Sequence, residues 1–449
     1  MRGGKTMPIL AGFMLPHPPL SVAEVGKGDE KKIQATLDGF ERVAEEIARL
    51  KPETIIVTSP HSVMYYDYFH ISPGAHATGD FGRFGAPGVK FSIDYDTELV
   101  KAISGRAQKL GIPAGTSGER DSALDHGTMV PMYFINKHYT GYKLVRIGLS
   151  GMSLDVHYSL GRIIKGAVSE CSVRAVFLAS GDLSHCQKED GPYGYKPEGP
   201  AYDKRLMEVM QSGDLKQLLT FDEIFLNKAE ECGHRSFCIM AGAFDGVKLS
   251  PHILSHEATF GVGYGTGYFL PEEDDMSIKE SGDGLVRLAR ETINEYVKTG
   301  RKLRDYDVPR EAAKKRAGAF VSIHECGMLR GCIGTISPTR STLAEEIVNN
   351  AISAASRDPR FSPITPDELS SLEISVDVLS DPEPISSMKE LDVKRYGVIV
   401  ESGSKRGLLL PDLEGVDSVE EQVLIARNKA GIKENEHVTL YRFEVERHV

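Results

Sequence analysis

The sequence predicts an α/β N-terminal domain, a central sheet flanked by helices, followed by an α+β C-terminal domain. Three observations lead there. Apolar strand-like runs alternate with helical patterns over the first 270 residues. An acidic, polar stretch with no apolar period, "PEEDDMSIKESGDG", then interrupts the chain. Beyond it, strands and helices follow in a mixed order. The 449 residues leave room for two or three domains at roughly 100–200 residues each. Hydrophobic residues at 41% and charged residues at 26% are ordinary for a globular chain able to bury two cores.

The elements follow in order. "MRGGKTMPILAGFMLPHPPL" opens with basic and then apolar residues, as a signal peptide does. Pro8, Gly12 and Pro16 cut the apolar run, and no small-residue cleavage site closes it. It reads as a buried first strand, with the mature protein expected to begin near Met1. Further strands are expected at "TIIVTSP", "KLVRIGLS", "RAVFLASGD" and the glycine-laced "GVGYGTGYFL", with helices at 31–50 and 96–110 among them. The domain boundary falls near 272–280, giving domains 1–272 and 281–449. A helix over 283–299 has Asp283 as N-cap and Gly300 as its stop, with Leu285, Leu288, Ala289, Thr292 and Tyr296 at helical spacing. Next come a strand "GAFVSIHE", a turn at Cys326–Gly327, the stretch "MLRGCIGTIS" and a helix over 341–356. An alternating strand "LEISVDVLS", a hairpin through Gly403 and a helix over 418–430 complete the chain.

Composition excludes several function classes. The net charge of −11 and pI near 5.8 argue against nucleic acid or an anionic membrane as main partner, since both need a concentrated basic face. The run "KKR" at 314–316 is short and reads as a solvated helix face. No stretch approaches the ~20 apolar residues of a membrane span. Six cysteines with no CxxC pair are too few for a disulfide scaffold, so a reduced, cytoplasmic protein is expected. Homo-oligomerisation stays open.

Four histidines draw attention: His17 in "MLPHPPL", His61 in "VTSPHSV", His126 in "LDHGTMVPM" and His185 in "SGDLSH". Each is expected at the end of an apolar strand, where α/β sheets carry their ligand sites. A single histidine is more often a capped or surface residue than a functional one; four at equivalent places are harder to explain that way. The flanking prolines fix the backbone around the rings. Two imidazoles plus one carboxylate with open positions suit non-haem Fe(II), and the same donors can take Zn(II). The third donor is sought in "KAEECGHRSF", which offers Glu230, Glu231, Cys232 and His234. Its structural reading is an acidic helix N-terminus.

"LPHPPL", "SPHS", "LDHGTMVPM" and "SGDLSH", in that order, resemble the LigB-type class III extradiol dioxygenases and their Memo relatives over most of residues 8–270. The resemblance implies His17 and His61 as metal ligands with Glu231 as the third. It makes His185 the acid–base catalyst, His126 a residue that either supports the metal ligands or contacts the substrate, and Asp182 with Ser184 the groups that orient them. The Memo branch is similar at "CGHRS" and places a cysteine in that pocket, so Cys232 is the alternative third ligand. Glu231 would favour Fe(II) and O₂ chemistry on an aromatic or heterocyclic substrate. Cys232 would make a softer site able to hold Zn or Cu without ring cleavage, as a hydrolase or as a non-enzymatic peptide-binding module.

In the second half, "LRGCIGT" combines Arg330 and Cys332 with two glycines that allow close backbone approach. Cys332 is a core residue on the structural reading. On the functional reading Arg330 beside it favours the thiolate, with His324, Glu325 and "SRDPRF" near the same cleft. "LRGCIGT", "RDPRFSPI", "LEISVDVLS" and "RGLLLP" resemble an AMMECR-type domain over about 280–449. The pair of domains is similar to the A and B parts of the AmmeMemoRadiSam system. That resemblance implies a separate radical-SAM partner, since this chain has no CxxxCxxC motif.

Overall fold

The computed structural model describes residues 9–120, 123–272 and 283–449, apart from positions 305, 307, 309–311, 326–327, 367, 370–371, 404, 414–415 and 434–435. The expected turn at Cys326–Gly327 and most of the boundary stretch lie outside the described residues. The chain forms two compact units, Met1–Glu273 and Asp274–Val449.

The N-terminal unit is built on a six-stranded sheet. Its strands are β1 (Ile9–Leu15), β2 (Thr54–Ser59), β3 (Lys143–Gly148), β4 (Ala175–Ser180), β5 (Leu249–Glu257) and β6 (Tyr264–Pro271), in the order β3-β2-β4-β1-β6-β5. The first four are mutually parallel, and β6 and β5 continue antiparallel beyond β1. β2 and β4 are buried along their whole length, and so are continuous apolar runs rather than alternating ones. Alternation persists on β1. Ala11, Phe13 and Leu15 join the core with Phe40 and Val43. Gly12 faces the other way, where a Cβ would lie 2.8 Å from the Phe244 ring.

Helices are α1 (Gln34–Leu50), α2 (Thr97–Lys109), α3 (His126–His138), α4 (Leu154–Cys171), α5 (Glu198–Ser212), α6 (Glu223–Ala229) and α7 (His234–Ala243). α1 buries Thr36, Gly39, Phe40, Val43, Ala44 and Ile47, a stripe at helical spacing that packs against α3 and the sheet. α4 packs against α2 and α7. A two-stranded ribbon, His76–Phe81 with Ala86–Asp94, pairs outside the main sheet.

The C-terminal unit holds two four-stranded sheets. Its strands are β7 (Ala319–Glu325), β8 (Met328–Gly334), β9 (Leu372–Leu379), β10 (Glu383–Ile385), β11 (Gly397–Ser402), β12 (Lys405–Leu409), β13 (Thr439–Phe443) and β14 (Val445–His448). One sheet runs β8-β7-β9-β14 and the other β10-β13-β11-β12. Helices α8 (Gly284–Thr299) and α9 (Leu343–Ser356) form a core with the first sheet. α10 (Val419–Lys429) packs on β11 and β12. Asp283 caps α8 by accepting from Leu285 N, and Gly300 ends it in the left-handed conformation. Among the described residues no helix is long and apolar enough to cross a membrane.

Candidate metal centre

Parallel strands β1, β2 and β4 end on the same side of the sheet, and each leads into a loop carrying one of the histidines. His17 is fully buried two residues beyond β1. Its Nδ1 lies 3.0 Å from Ser180 Oγ, and that hydroxyl donates to Gly127 O at 2.6 Å. Having spent its proton on the carbonyl, Ser180 can only accept from the ring. Nδ1 of His17 therefore carries the hydrogen and Nε2 is bare. His17 Nε2 faces His61 Nε2 at 3.0 Å and Cys232 Sγ at 3.6 Å. Burial, with His61 and His126 close by, holds the His17 imidazole well below its ordinary pKa. The ring is thus a neutral donor at neutral pH.

Of the two candidates for the third donor, it is Cys232, the alternative ligand, whose side chain lies with the two imidazoles, and Glu231 is turned away from them. The ligand atoms of His17, His61 and Cys232 all lie within 4.8 Å of one another. Glu231 turns away instead: its Oε2 accepts from His234 N at 2.6 Å and caps the start of α7. The structural reading of an acid at a helix N-terminus therefore holds for Glu231. Burial raises this carboxyl to about 7. Close backbone approach sets the orientation. A Cβ on Gly181 would sit 2.1 Å from Gly233 Cα, so only glycine lets the two loops meet. That meeting brings Asp182 N within 3.3 Å of Cys232 Sγ. Burial, Asp182 and Glu231 together push the Cys232 thiol well above its ordinary range.

This donor set fits a cation. Two imidazole nitrogens converge on a half-buried sulfur, and His17 has its tautomer fixed by a hydrogen bond on the far nitrogen. The Asp182 N–H alone does not offset burial and the nearby carboxylates for a thiolate there, and the missing charge is what a soft divalent or monovalent metal would supply.

Asp182 and His185 adjoin the same sulfur, and Asp182, His185 and Cys232 form a second convergent group. Asp182 Oδ1 accepts from His17 N at 2.8 Å, while Oδ2 lies 3.8 Å from His17 Nε2 and 4.0 Å from His185 Nε2. Burial raises the Asp182 carboxyl. His185 Nδ1 is 2.6 Å from Glu230 O, an acceptor, so Nδ1 carries the hydrogen and Nε2 is left to receive a proton. Glu230 adopts φ of 51° after α6, which aims its carbonyl at His185. Ser184 Oγ donates to Ala229 O, holding the same two loops together.

His126 corrects a second expectation. It is the first residue of α3 rather than a strand end, with Asp125 as N-cap accepting from Thr128 N at 3.0 Å. The geometry still delivers it: its ring centroid lies 3.9 Å from that of His61 and 5.5 Å from that of His17. Burial and His61 lower its pKa to about 4. His61 and His126 both line a cavity of about 930 Å³. Sequence reasoning passed over its other walls, Asp125, Arg146 and the ribbon residues Arg83 and Lys90. It also passed over Ser180. The signal for Asp125 was present as an N-cap aspartate three residues before Thr128; the ribbon left none.

In the C-terminal unit "LRGCIGT" is the edge strand β8. Gly331 and Gly334 have no left-handed φ; they allow close approach, with Gly331 against Ala354 O of α9. The expected Arg330–thiol pairing is corrected. The Arg330 guanidinium is buried against Glu368, Nε to Oε1 at 2.8 Å, and donates to Ser362 O and Pro363 O. Cys332 Sγ accepts from Ser322 Oγ at 3.3 Å. "SRDPRF" does face Cys332, through the backbone. Asp358 Oδ2 accepts from Cys332 N at 2.9 Å and Arg360 Nη2 donates to Cys332 O at 3.0 Å.

Two family models match the chain. "Catalytic LigB subunit of aromatic ring-opening dioxygenase" covers residues 11–267, and AMMECR1 covers 286–448. A Clostridium acetobutylicum protein is 42% identical over 97% of this chain and 98% of its own length. One from Thermotoga maritima is 55% identical over 36% of this chain and 95% of its own. A solved structure from Pyrococcus horikoshii, described as an uncharacterized protein, is 36% identical over 37% of this chain and 90% of its own, with a TM-score of 0.34.

Proposed function

The chain belongs to the family of the catalytic LigB subunit of aromatic ring-opening dioxygenases and carries an AMMECR1 domain after it; from that premise we propose a mononuclear metalloenzyme that oxidises an aromatic or heterocyclic diol. The convergence of His17 Nε2, His61 Nε2 and Cys232 Sγ beside the 930 Å³ cavity carries the reading. These three residues would hold the metal, with Fe(II) as the family's ion. When bound, it would supply redox chemistry between dioxygen and the diol. His185 Nε2, bare because Nδ1 donates to Glu230 O, accepts the proton of a substrate hydroxyl. Asp182 steadies the resulting imidazolium from 4.0 Å and holds the His17 backbone. His126 walls the substrate against the metal donors.

The test is metal analysis after anaerobic purification, then oxygen uptake with Fe(II)-loaded protein and a panel of catechols and hydroxylated heterocycles. His17→Ala and His61→Ala are expected to lose both metal and uptake. If they retain wild-type metal, the site is wrong.

One observation favours a second reading. Cys232 rather than Glu231 faces the histidines, and a His/His/Cys site is softer than the two-histidine, one-carboxylate set of non-haem iron oxygenases. Zn or Cu held there would support hydrolysis or metal-dependent binding instead. Turnover with Zn under strict anaerobiosis selects the hydrolase; tight metal without turnover across the panel selects the binding module. A separate radical-SAM protein is the partner this reading adds, to be sought by co-purification with the tagged chain.

A further inference from the structure

We propose that the cleft between α5 and the edge strand β5 is a second ligand site, taking a neutral planar ring that carries a lactam or carboxamide edge. This goes beyond the metal reading and does not depend on it. None of the residues walling the cleft lines the cavity beside His61 and His126.

The cleft offers about 680 Å³, within the range of small-molecule sites. The Asp203 carboxylate in its wall is 1% exposed and already committed. Its Oδ1 accepts from Ser184 N at 2.9 Å, and its Oδ2 faces His256 Nε2 at 2.8 Å. A carboxylate only accepts, so Nε2 of the neutral imidazole carries the hydrogen and Nδ1 is bare. The bond to Asp203 is the one hydrogen bond of the His256 ring among the described residues. The cleft therefore presents a free acceptor, held in place by a buried carboxylate.

Gln187 supplies the complement. Its Nε2 is closed off from solvent and has no hydrogen-bond partner among the described residues. Buried donors are normally paired, and one left alone costs stability until something completes it. Together the two groups call for an N–H that donates to His256 Nδ1 and a carbonyl that accepts from Gln187 Nε2. An amide edge carries both. The other walls set the body of the ligand. Pro200 and Met207 line the cleft with apolar surface, and a thioether packs well against a ring. Lys204 and Glu208, both exposed, stand one turn apart on α5 and offset one another. The negative charge of Asp203 opposes an anion, and its engaged oxygens leave none for an ammonium. A neutral ring is what remains.

The test compares two rings of nearly one shape. Carbostyril is a bicyclic lactam; its N-methyl derivative keeps the carbonyl and lacks the N–H. Full-length protein labelled with carbon-13 at the methionine methyls is titrated with each by NMR. Met207 reports this cleft and Met129 the cavity beside His61 and His126, each signal assigned by its loss in the leucine variant. Carbostyril is expected to move the Met207 signal saturably and to leave Met129 in place. The N-methyl derivative should bind about tenfold or more weakly, and so should carbostyril to Gln187→Leu, each for the loss of one completed hydrogen bond. Gln187→Leu should melt at or above the wild-type temperature, because it removes an unpaired buried donor. Equal binding of the two rings, or binding undiminished in Gln187→Leu, overturns the inference. So does a shift of Met129 without Met207, or no shift of either up to the solubility of the ring. A Gln187→Leu protein that melts well below wild type overturns it too, since Gln187 would then be serving the fold.

Discussion

The half-buried Cys232 thiol sits beside Asp182 and Glu231, and burial with these two carboxyls disfavours its anion more than the Asp182 N–H favours it. A metal entering between His17 and His61 must therefore expel a proton from sulfur. Zinc titrations at pH 7 in two buffers of different ionisation enthalpy are expected to show about one proton fewer released by Cys232→Ser than by the wild type, with affinity lowered at least tenfold. Equal proton release in the two proteins would remove Cys232 from the ligand set. Arg330 raises the opposite case, a charged residue of a signature motif whose contacts are structural. It is 7% exposed and shares a buried ion pair with Glu368. Removing one partner of such a pair strands the other charge, so Arg330→Ala should cost about 3–5 kcal/mol of unfolding free energy in urea. A loss under about 1 kcal/mol would show the pair to be dispensable and reopen Arg330 as a reactive-site residue.

At the scale of elements, β8 is an edge strand, and unpaired edges invite association with other chains. Asp358 and Arg360 occupy the exposed N–H and C=O of Cys332 as a neighbouring strand would. Arg360 and the Cys332 and Arg360 amides hold the Asp358 carboxyl well below the usual aspartate range. The unfolded chain then takes up this proton first as pH falls. The stabilisation is present above about 4, the ordinary aspartate value, and is lost as pH drops below it toward the folded value. Asp358→Asn should thus be less stable than wild type at pH 7, with the gap closing toward pH 3. A gap constant between pH 7 and pH 3 in urea melts would exclude Asp358 as the source. The same strand shows what a sequence conveys. Its pattern and glycines marked β8 and its partner β7, and the β-then-α rhythm marked the strands that carry His17, His61 and His185. Missing were contacts between segments far apart in the chain. Glu231 and Cys232 are neighbours in sequence, and what turns one to α7 and the other to the histidines is the Gly181–Gly233 approach and the left-handed Glu230. His126 opens α3 because Asp125 caps the helix there, whereas the apolar residues that follow His126 are as compatible with a strand as with a helix.

For the whole molecule, the metal reading makes a thermodynamic demand on one unit. The candidate donors come from β1, β2, β4 and the loop before α7, all within Met1–Glu273. A ligand bound by the folded state alone stabilises it by RT ln(1 + [L]/Kd), about 2.7 kcal/mol at a hundredfold excess over Kd. Each donor sits at the end of a different element, so their geometry exists only when the parallel strands are assembled. The unfolded chain, with its donors dispersed along some 215 positions from His17 to Cys232, offers no comparable site. Adding Zn(II) to metal-free protein should therefore raise the melting temperature of the transition that contains the N-terminal unit. The C-terminal unit supplies none of these ligands, and any separate transition of its own should not move. His17→Ala is expected to melt at the same temperature with and without zinc, and Cys232→Ser to show a smaller rise than the wild type. Calorimetry with a tenfold series of zinc concentrations distinguishes this from surface binding, because a single specific site gives a shift that grows with the logarithm of free metal. A shift that persists in His17→Ala, or that moves a separate C-terminal transition, would place the stabilising metal somewhere other than the histidine cluster.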